Sequence, residues 1–228
     1  MKNVKNKLIS LLLIAVTLVS LFTLSSCNRR FDKAEVIEAT KTLLKDAEML
    51  NIVYYGSGIE YFDDDEVKGY YHKANPNHLE NLGFSTIDEL KRLTEKTFSD
   101  GYSSMLYSTI LSSLMDDISV VSPARYYQAF DEKTGAPTHI MVYSNFTPMF
   151  KDSIVYDYDS LKAKGSKKEK VYVEVDATVT NAEGKSQRTT VTVTLVEEDD
   201  GWRIDNPTYA NYNEYKDRYD ELNNKNLK

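Results

Sequence analysis

Val171-Tyr172-Val173-Glu174-Val175-Asp176-Ala177-Thr178-Val179-Thr180 is the stretch that decides the fold class of this 228-residue chain. Val171, Val173, Val175, Ala177 and Val179 occupy every second position, and Tyr172, Glu174, Asp176, Thr178 and Thr180 fill the gaps. Side chains of an extended chain alternate between its faces, so the pattern predicts a strand with one buried and one wet face. Asn181 to Lys185 reads as a turn, and Val191, Val193 and Leu195 repeat the alternation on the way back. Glu197 to Gly201 turns the chain again, and Trp202-Arg203-Ile204 supplies a closing strand with Trp202 and Ile204 on one face. Three strands joined by short turns predict an antiparallel meander that buries its apolar side against other elements.

Upstream, Arg125 to Phe130, the turn Asp131-Glu132-Lys133-Thr134-Gly135 and Thr138 to Ser144 read as a hairpin. Ile154-Val155-Tyr156 adds a short strand, and the basic stretch from Lys162 to Lys170 reads as a solvated linker. Before Pro123 the period is helical. Val36, Ile37, Thr40, Leu43, Leu44, Ala47 and Leu50 recur three and four residues apart, which predicts an amphipathic helix over residues 32 to 50. Thr86 with Glu89 three residues later forms a capping box, with Ser85 and Asp88 as the alternative one residue earlier. Ile87, Leu90, Leu93 and Phe98 line the helix it starts, which ends near Thr97. Ser99 and Asp100 can cap another helix carrying Tyr102, Met105, Leu106, Thr109, Leu111 and Leu114. Tyr212, Tyr215, Tyr219 and Leu222 follow helical spacing in a last amphipathic helix. The expected architecture is α+β, with N-terminal helices packed on a curved antiparallel sheet around a cleft or cone-like cavity.

The start of the chain has a different composition. Lys2, Lys5 and Lys7 precede an apolar run from Ile9 to Leu24, as in an export signal. The rival is an uncleaved anchor, for which roughly 20 apolar residues are needed. The small residues Ser25 and Ser26 favour cleavage. Leu24-Ser25-Ser26-Cys27 resembles the lipobox of bacterial lipoproteins. That resemblance implies that the Cys27 thiol receives diacylglycerol, that the peptidase cuts before it, and that the lipid holds the mature chain on the outer face of the cytoplasmic membrane. The expected division is a signal peptide over residues 1–26, a tether over 27–31 and a single α+β domain over 32–228. Three extended residues between Cys27 and the fold reach roughly 10 Å, so such a domain works at the membrane surface.

Cys27 is the only cysteine, so lipidation leaves no thiol for a disulfide, a nucleophile or a zinc site. The net charge is −7, and removal of the three leader lysines makes it about −10. Nucleic acid is thereby excluded as a natural partner. Asp63-Asp64-Asp65-Glu66 lacks the ligand spacing and the glycine of a calcium loop and reads as a solvated acidic loop.

The ending Gly201-Trp202-Arg203-Ile204-Asp205-Asn206-Pro207-Thr208-Tyr209 resembles small exported NTF2-like or cystatin-like domains. The helix opening Phe84-Ser85-Thr86-Ile87-Asp88-Glu89-Leu90, followed by paired strands, also resembles the lipoprotein-type inhibitors of cell-wall DL-endopeptidases. Those resemblances imply a non-catalytic protein whose partner is a peptidoglycan hydrolase or another envelope protein. No inhibitor contact is carried onto a numbered residue.

Seventeen tyrosines supply rigid apolar bodies with polar tips, which suit recognition surfaces. Tyr54, Tyr55, Tyr61, Tyr70 and Tyr71 crowd one segment without clean periodicity. They form the candidate binding surface, or else they shield the end of the sheet. Trp202 reads as a core anchor or a cleft residue. His72, His78 and His139 are scattered, and neither a His-Glu-x-x-His motif nor a nucleophile elbow is present, so no metal or cofactor is expected. An acid-base site of the NTF2-like kind would need a buried carboxylate beside a tyrosine, with Asp157, Asp159, Glu174, Asp176 and Asp205 as candidates. Non-catalytic binding is the leading expectation. An accessory subunit of an envelope or transport complex and a small-molecule-binding or acid-base protein are the alternatives.

Overall fold

The computed structural model describes residues 31–68, 70–116, 119–148, 153–180 and 184–206, without the side chains of 64–68, 114–116, 119–122 and 153. The expected leader, Cys27 and the helix expected through Tyr212, Tyr215, Tyr219 and Leu222 lie outside the described residues.

Helix α1 spans Lys33–Tyr55. Asp32 caps it, accepting at Oδ1 from the amides of Ala34 at 2.8 Å and Glu35 at 3.4 Å. Its buried stripe runs through Val36, Thr40, Leu43, Leu44, Ala47, Leu50, Val53, Tyr54 and Tyr55, so the helix continues past Leu50 where the sequence reading ended it. Strands β1 (Tyr61–Lys68) and β2 (Tyr71–Ala74) follow as an antiparallel pair. The acidic run Asp63 to Glu66, expected as a loop, therefore lies in a strand with register shifts.

Helix α2 (Pro76–Leu82) was not anticipated, although its signals are complete. Asn75 caps it, Pro76 takes the first position, and Gly83 ends it at φ 80°, a left-handed conformation that favours glycine. Helix α3 (Ile87–Thr97) starts on the expected capping box, both arms of which form. Helix α4 covers only Asp100–Leu106 and passes into a π turn over Tyr107–Leu111, shorter than the expected run to Leu114. Ser99 makes no side-chain cap; its hydroxyl donates to Asp205 Oδ1 at 3.1 Å.

The remaining strands are β3 (Leu114–Asp116), β4 (Ser119–Ser122), β5 (Tyr126–Phe130), β6 (Pro137–Tyr143), β7 (Ser153–Lys167), β8 (Lys170–Thr180), β9 (Ser186–Glu198) and β10 (Gly201–Asn206). The expected linker from Lys162 to Lys170 is instead the end of the 15-residue β7 and a tight turn into β8.

These strands do not make one curved sheet. They form two separate four-stranded antiparallel sheets, in the orders β1-β2-β6-β5 and β10-β9-β8-β7, beside the small β3-β4 hairpin, and neither large sheet closes. The expected NTF2-like or cystatin-like architecture is thereby overturned. The reason is non-local: β6 pairs with β2, His72 opposite Val142, and this takes the middle hairpin away from the terminal meander.

The core lies between the sheets and helices. From the second sheet Val171, Val173, Val175, Val193, Leu195 and Ile204 point into it, with Val171 opposite Leu195 and Val173 opposite Val193. Helix α1 packs on β7 and β10, and α3 touches both β10 and β5, joining the two sheets. A parallel bridge between Phe98 and Ile204, with Ser99 N donating to Ile204 O at 2.9 Å, fixes the end of α3 against β10.

Candidate functional site

Alternation along β2, β5 and β6 gives the first sheet two unlike faces. His72, Val142 and Tyr126 lie opposite one another in register and turn inward. Tyr71 opposite Tyr143, and Lys73 and Tyr127 each opposite Met141, share the other face. There the Tyr71 and Tyr127 rings meet edge to face at 4.8 Å, and Tyr71 and Tyr143 lie 5.3 Å apart. Met141 is 2% exposed although it lies outside the main core, so this face has an apolar centre of its own.

Tyr71 is fixed by its hydroxyl, which donates to Ala124 O at 2.6 Å. Burial, then the neighbouring Tyr127 and Tyr143 phenols, push its pKa up to about 12, so it stays a neutral donor. Tyr127 is exposed at 38%, and alternation from the inward Tyr61 puts the exposed Phe62 on the same side of the sheet. At the turn into β2, Tyr70 is exposed with φ 70°, a conformation uncommon for a non-glycine residue. Its carbonyl accepts from both the amide and the hydroxyl of Ser144, each at 2.9 Å, which holds the turn against the end of β6.

The structure thus divides the tyrosines that the sequence grouped. Tyr54 and Tyr55 are core residues on α1, and Tyr54 hydrogen-bonds Thr94 at 2.7 Å. Tyr61 packs against the core and stacks on His72 with ring centroids 4.8 Å apart. Tyr70 and Tyr71 alone of the five belong to the surface group, which gains Tyr127 and Tyr143 from the hairpin β5-β6. That hairpin was visible in the sequence; its pairing with β2 was not. Trp202 stands on the second sheet, half-buried against the core.

The carboxylates considered for acid-base chemistry are surface groups. Asp157 and Asp176 share Arg188 at 3.2 and 3.1 Å, Glu174 pairs with Lys164 at 3.0 Å, Asp205 pairs with Lys170, and Asp159 is exposed. Asp176, which also accepts from the Thr190 hydroxyl at 2.7 Å, is held below the usual carboxylate range by that bond and by Arg188. Sequence reasoning missed Glu48, which accepts from Tyr158 Oη at 2.8 Å across the α1-β7 contact. Burial raises its carboxyl, against the lowering effect of the Tyr158 and Tyr156 hydrogen bonds and of Lys45. Its helical neighbours gave no sign of this, because the partner is 110 residues away.

Among the described residues, two of the clefts are open to solvent. One of about 480 Å³ lies between α3 and the β9-β10 turn and is lined by charges of both signs, including Glu95, Lys96, Glu198 and Arg203. The other, about 430 Å³, lies between α2 and the first sheet and is lined by Leu79, Phe84, His139 and Ile140 among others. Glu48 lines neither. Among the described residues no group of three or more His, Cys, Asp or Glu side chains converges to hold a metal, and no helix is long and apolar enough to cross a membrane.

No protein-family model matches the chain, and neither a curated protein nor a solved structure is found similar to it. With the two-sheet topology, this overturns the resemblances to the bacterial lipoprotein family, to NTF2-like and cystatin-like domains and to the cell-wall endopeptidase inhibitors. What stands is an α+β domain.

Proposed function

We propose that this protein is a non-catalytic binding domain that docks another protein of the cell envelope on the outer face of its first sheet. The observation that carries the proposal is the group Tyr71, Tyr127 and Tyr143 around the buried Met141. Tyrosine is enriched at the centres of protein interfaces, because its rigid ring buries much area for little lost side-chain freedom and carries a polar tip. The partner surface this face fits is apolar at its centre with polar groups at its rim. The basic and apolar start of the chain and the small residues before Cys27 support a lipid tether at Cys27, which keeps the domain at the outer surface of the membrane.

The test is site-specific photo-crosslinking in the native cell, with the reactive group at Tyr127 or, as a control, at the exposed Thr192 on the second sheet. A discrete protein adduct from position 127 that is absent from 192, and is lost with Tyr71→Ala and Tyr143→Ala, supports the docking face. No adduct, or the same adduct from both positions, overturns it. Intact-mass measurement of the native chain checks the tether: a free Cys27 thiol rules it out.

A further inference from the structure

The cleft of about 430 Å³ between α2 and the first sheet shares no residue with the docking face. Local chemistry builds it. Pro76 starts α2 and Gly83 ends it at φ 80°, after which Phe84 N donates to Leu79 O at 3.3 Å and Phe84 joins the core. A Cβ on Gly83 would meet nothing within 4 Å, so this turn stands open. The floor is apolar, because Leu79, Phe84 and, from β6, Ile140 are core residues whose remaining exposed surface lines the opening.

The rim is acidic. Glu80 and Glu89 line it, no lysine or arginine does, and His139 is the one other titratable side chain on the lining. Glu89 is held in place: its Oε2 accepts from Ser85 N and Ser85 Oγ, each at 2.7 Å, and from Thr86 N at 3.2 Å. These bonds, those from Ser85 foremost, keep its carboxyl below the usual range, so it is ionised at neutral pH. Its Oε1 lies 4.0 Å from Arg92, an exposed side chain that lines the other cleft. Glu80 is exposed and in no ion pair with a described residue. A fixed carboxylate with an oxygen to spare is preorganised to accept from a cationic donor.

We infer that this cleft binds a small organic amine, with the apolar body of the ligand on Leu79, Phe84 and Ile140 and its ammonium group at the rim of Glu80 and Glu89. Small-molecule sites are clefts of roughly 300–1,000 Å³ with apolar walls and a few placed polar groups, which is the make-up here. With no lining lysine or arginine to offset the two carboxylates, the rim favours a cation and repels an anion of the same shape. The site uses none of Tyr71, Tyr127, Tyr143 or Met141, so its failure leaves the docking face untouched.

Photolabelling of the full chain with para-azidobenzylamine at mildly alkaline pH tests the inference, with benzylamine, benzyl alcohol and benzoate as competitors that share one apolar body. Labelling saturates, and peptide mass spectrometry places the adducts within residues 74–89 or 138–140. Benzylamine protects at about fivefold lower concentration than benzyl alcohol, and benzoate protects least, as expected for carboxylates at a part-exposed rim. Glu80→Gln, a change at an exposed position, cuts the advantage of benzylamine by about twofold or more and leaves protection by benzyl alcohol unchanged. Labelling that does not saturate, adducts elsewhere, equal protection by the three competitors, or an undiminished advantage of benzylamine in Glu80→Gln overturns the site.

Discussion

Replacing Tyr126 by Phe tests how the first sheet is tied to helix α1. A helix leaves its last four carbonyls without intrahelical partners. At the end of α1, Gly56 N serves Asn51 O and Ile52 O, and Gly58 N adds a second bond to Ile52 O. The Val53 carbonyl is served from 73 residues away by Tyr126 Oη at 2.6 Å, and the same oxygen accepts from Ile59 N at 3.2 Å. Tyr126 is wholly buried, so water cannot replace its hydroxyl. Phenylalanine leaves one buried acceptor and one buried donor unsatisfied, each costing about 1–3 kcal/mol. Partial relaxation brings the expected total to about 2–4 kcal/mol, which lowers Tm by roughly 4–16 °C for a domain of this size.

Tyr54→Phe is the matched control. Tyr54 is equally buried, but its partner Thr94 Oγ1 also donates to Leu90 O at 2.7 Å and keeps that bond when the phenol is lost. About 1 kcal/mol is expected there. Urea unfolding with an unchanged m-value measures both variants. The reasoning fails if Tyr126→Phe costs less than about 0.5 kcal/mol, or if Tyr54→Phe costs more than Tyr126→Phe.

Thr86→Ala removes the oxygen that accepts from Glu89 N at 3.2 Å, and should cost about 1 kcal/mol in the same assay; a neutral result would mean that α3 does not depend on its cap. Glu48→Gln probes linkage. The folded carboxyl titrates above its ordinary value because of burial, so its folded state binds the proton more tightly than the unfolded chain does. Its contribution to stability therefore falls as pH rises from the unfolded pKa through the folded one. Glutamine still accepts from Tyr158 and should remove that local fall, leaving the urea midpoint at neutral pH equal or higher. A clearly lower midpoint at neutral pH would contradict the sign.

What the sequence made legible follows from how local each cause is. The alternation in β8 and β9 survives because one face of each strand meets the core and the other meets water, and the Thr86-Glu89 box acts within four residues. The sequence reading stops the helix at Leu50, and the β-branched and aromatic residues Ile52-Val53-Tyr54-Tyr55 that follow have low helix propensity. Burial of Val53, Tyr54 and Tyr55 on the same stripe as Leu50 carries α1 through them. The long β7 was hidden by its lysines and aspartates, by the register shifts after Asp157 and Ala163, and by a turn in which Lys168 takes φ 58° where a glycine signal would be sought.

The tyrosines show where local reading stops. Tyr70 and Tyr71 are adjacent in sequence, as are Tyr54 and Tyr55, yet one pair is buried in helix α1 and the other sits at the turn into, and the start of, the inner strand β2. In a strand, neighbours in sequence face opposite ways, while neighbours in space come from the partner strand. Tyr71 therefore has less to do with Tyr61 than with Tyr143 and Tyr127, 72 and 56 residues further on, and only the register of β2 on β6 and of β5 on β6 brings the three rings together. A slip of one residue in the β2-β6 pairing would turn Tyr71 inward and His72 outward, dissolving the face. Its existence rests on the inward set Ala74, Val142 and Tyr126 being apolar enough to fix that register. The candidate binding surface is thus specified by the core residues behind it as much as by the tyrosines that compose it.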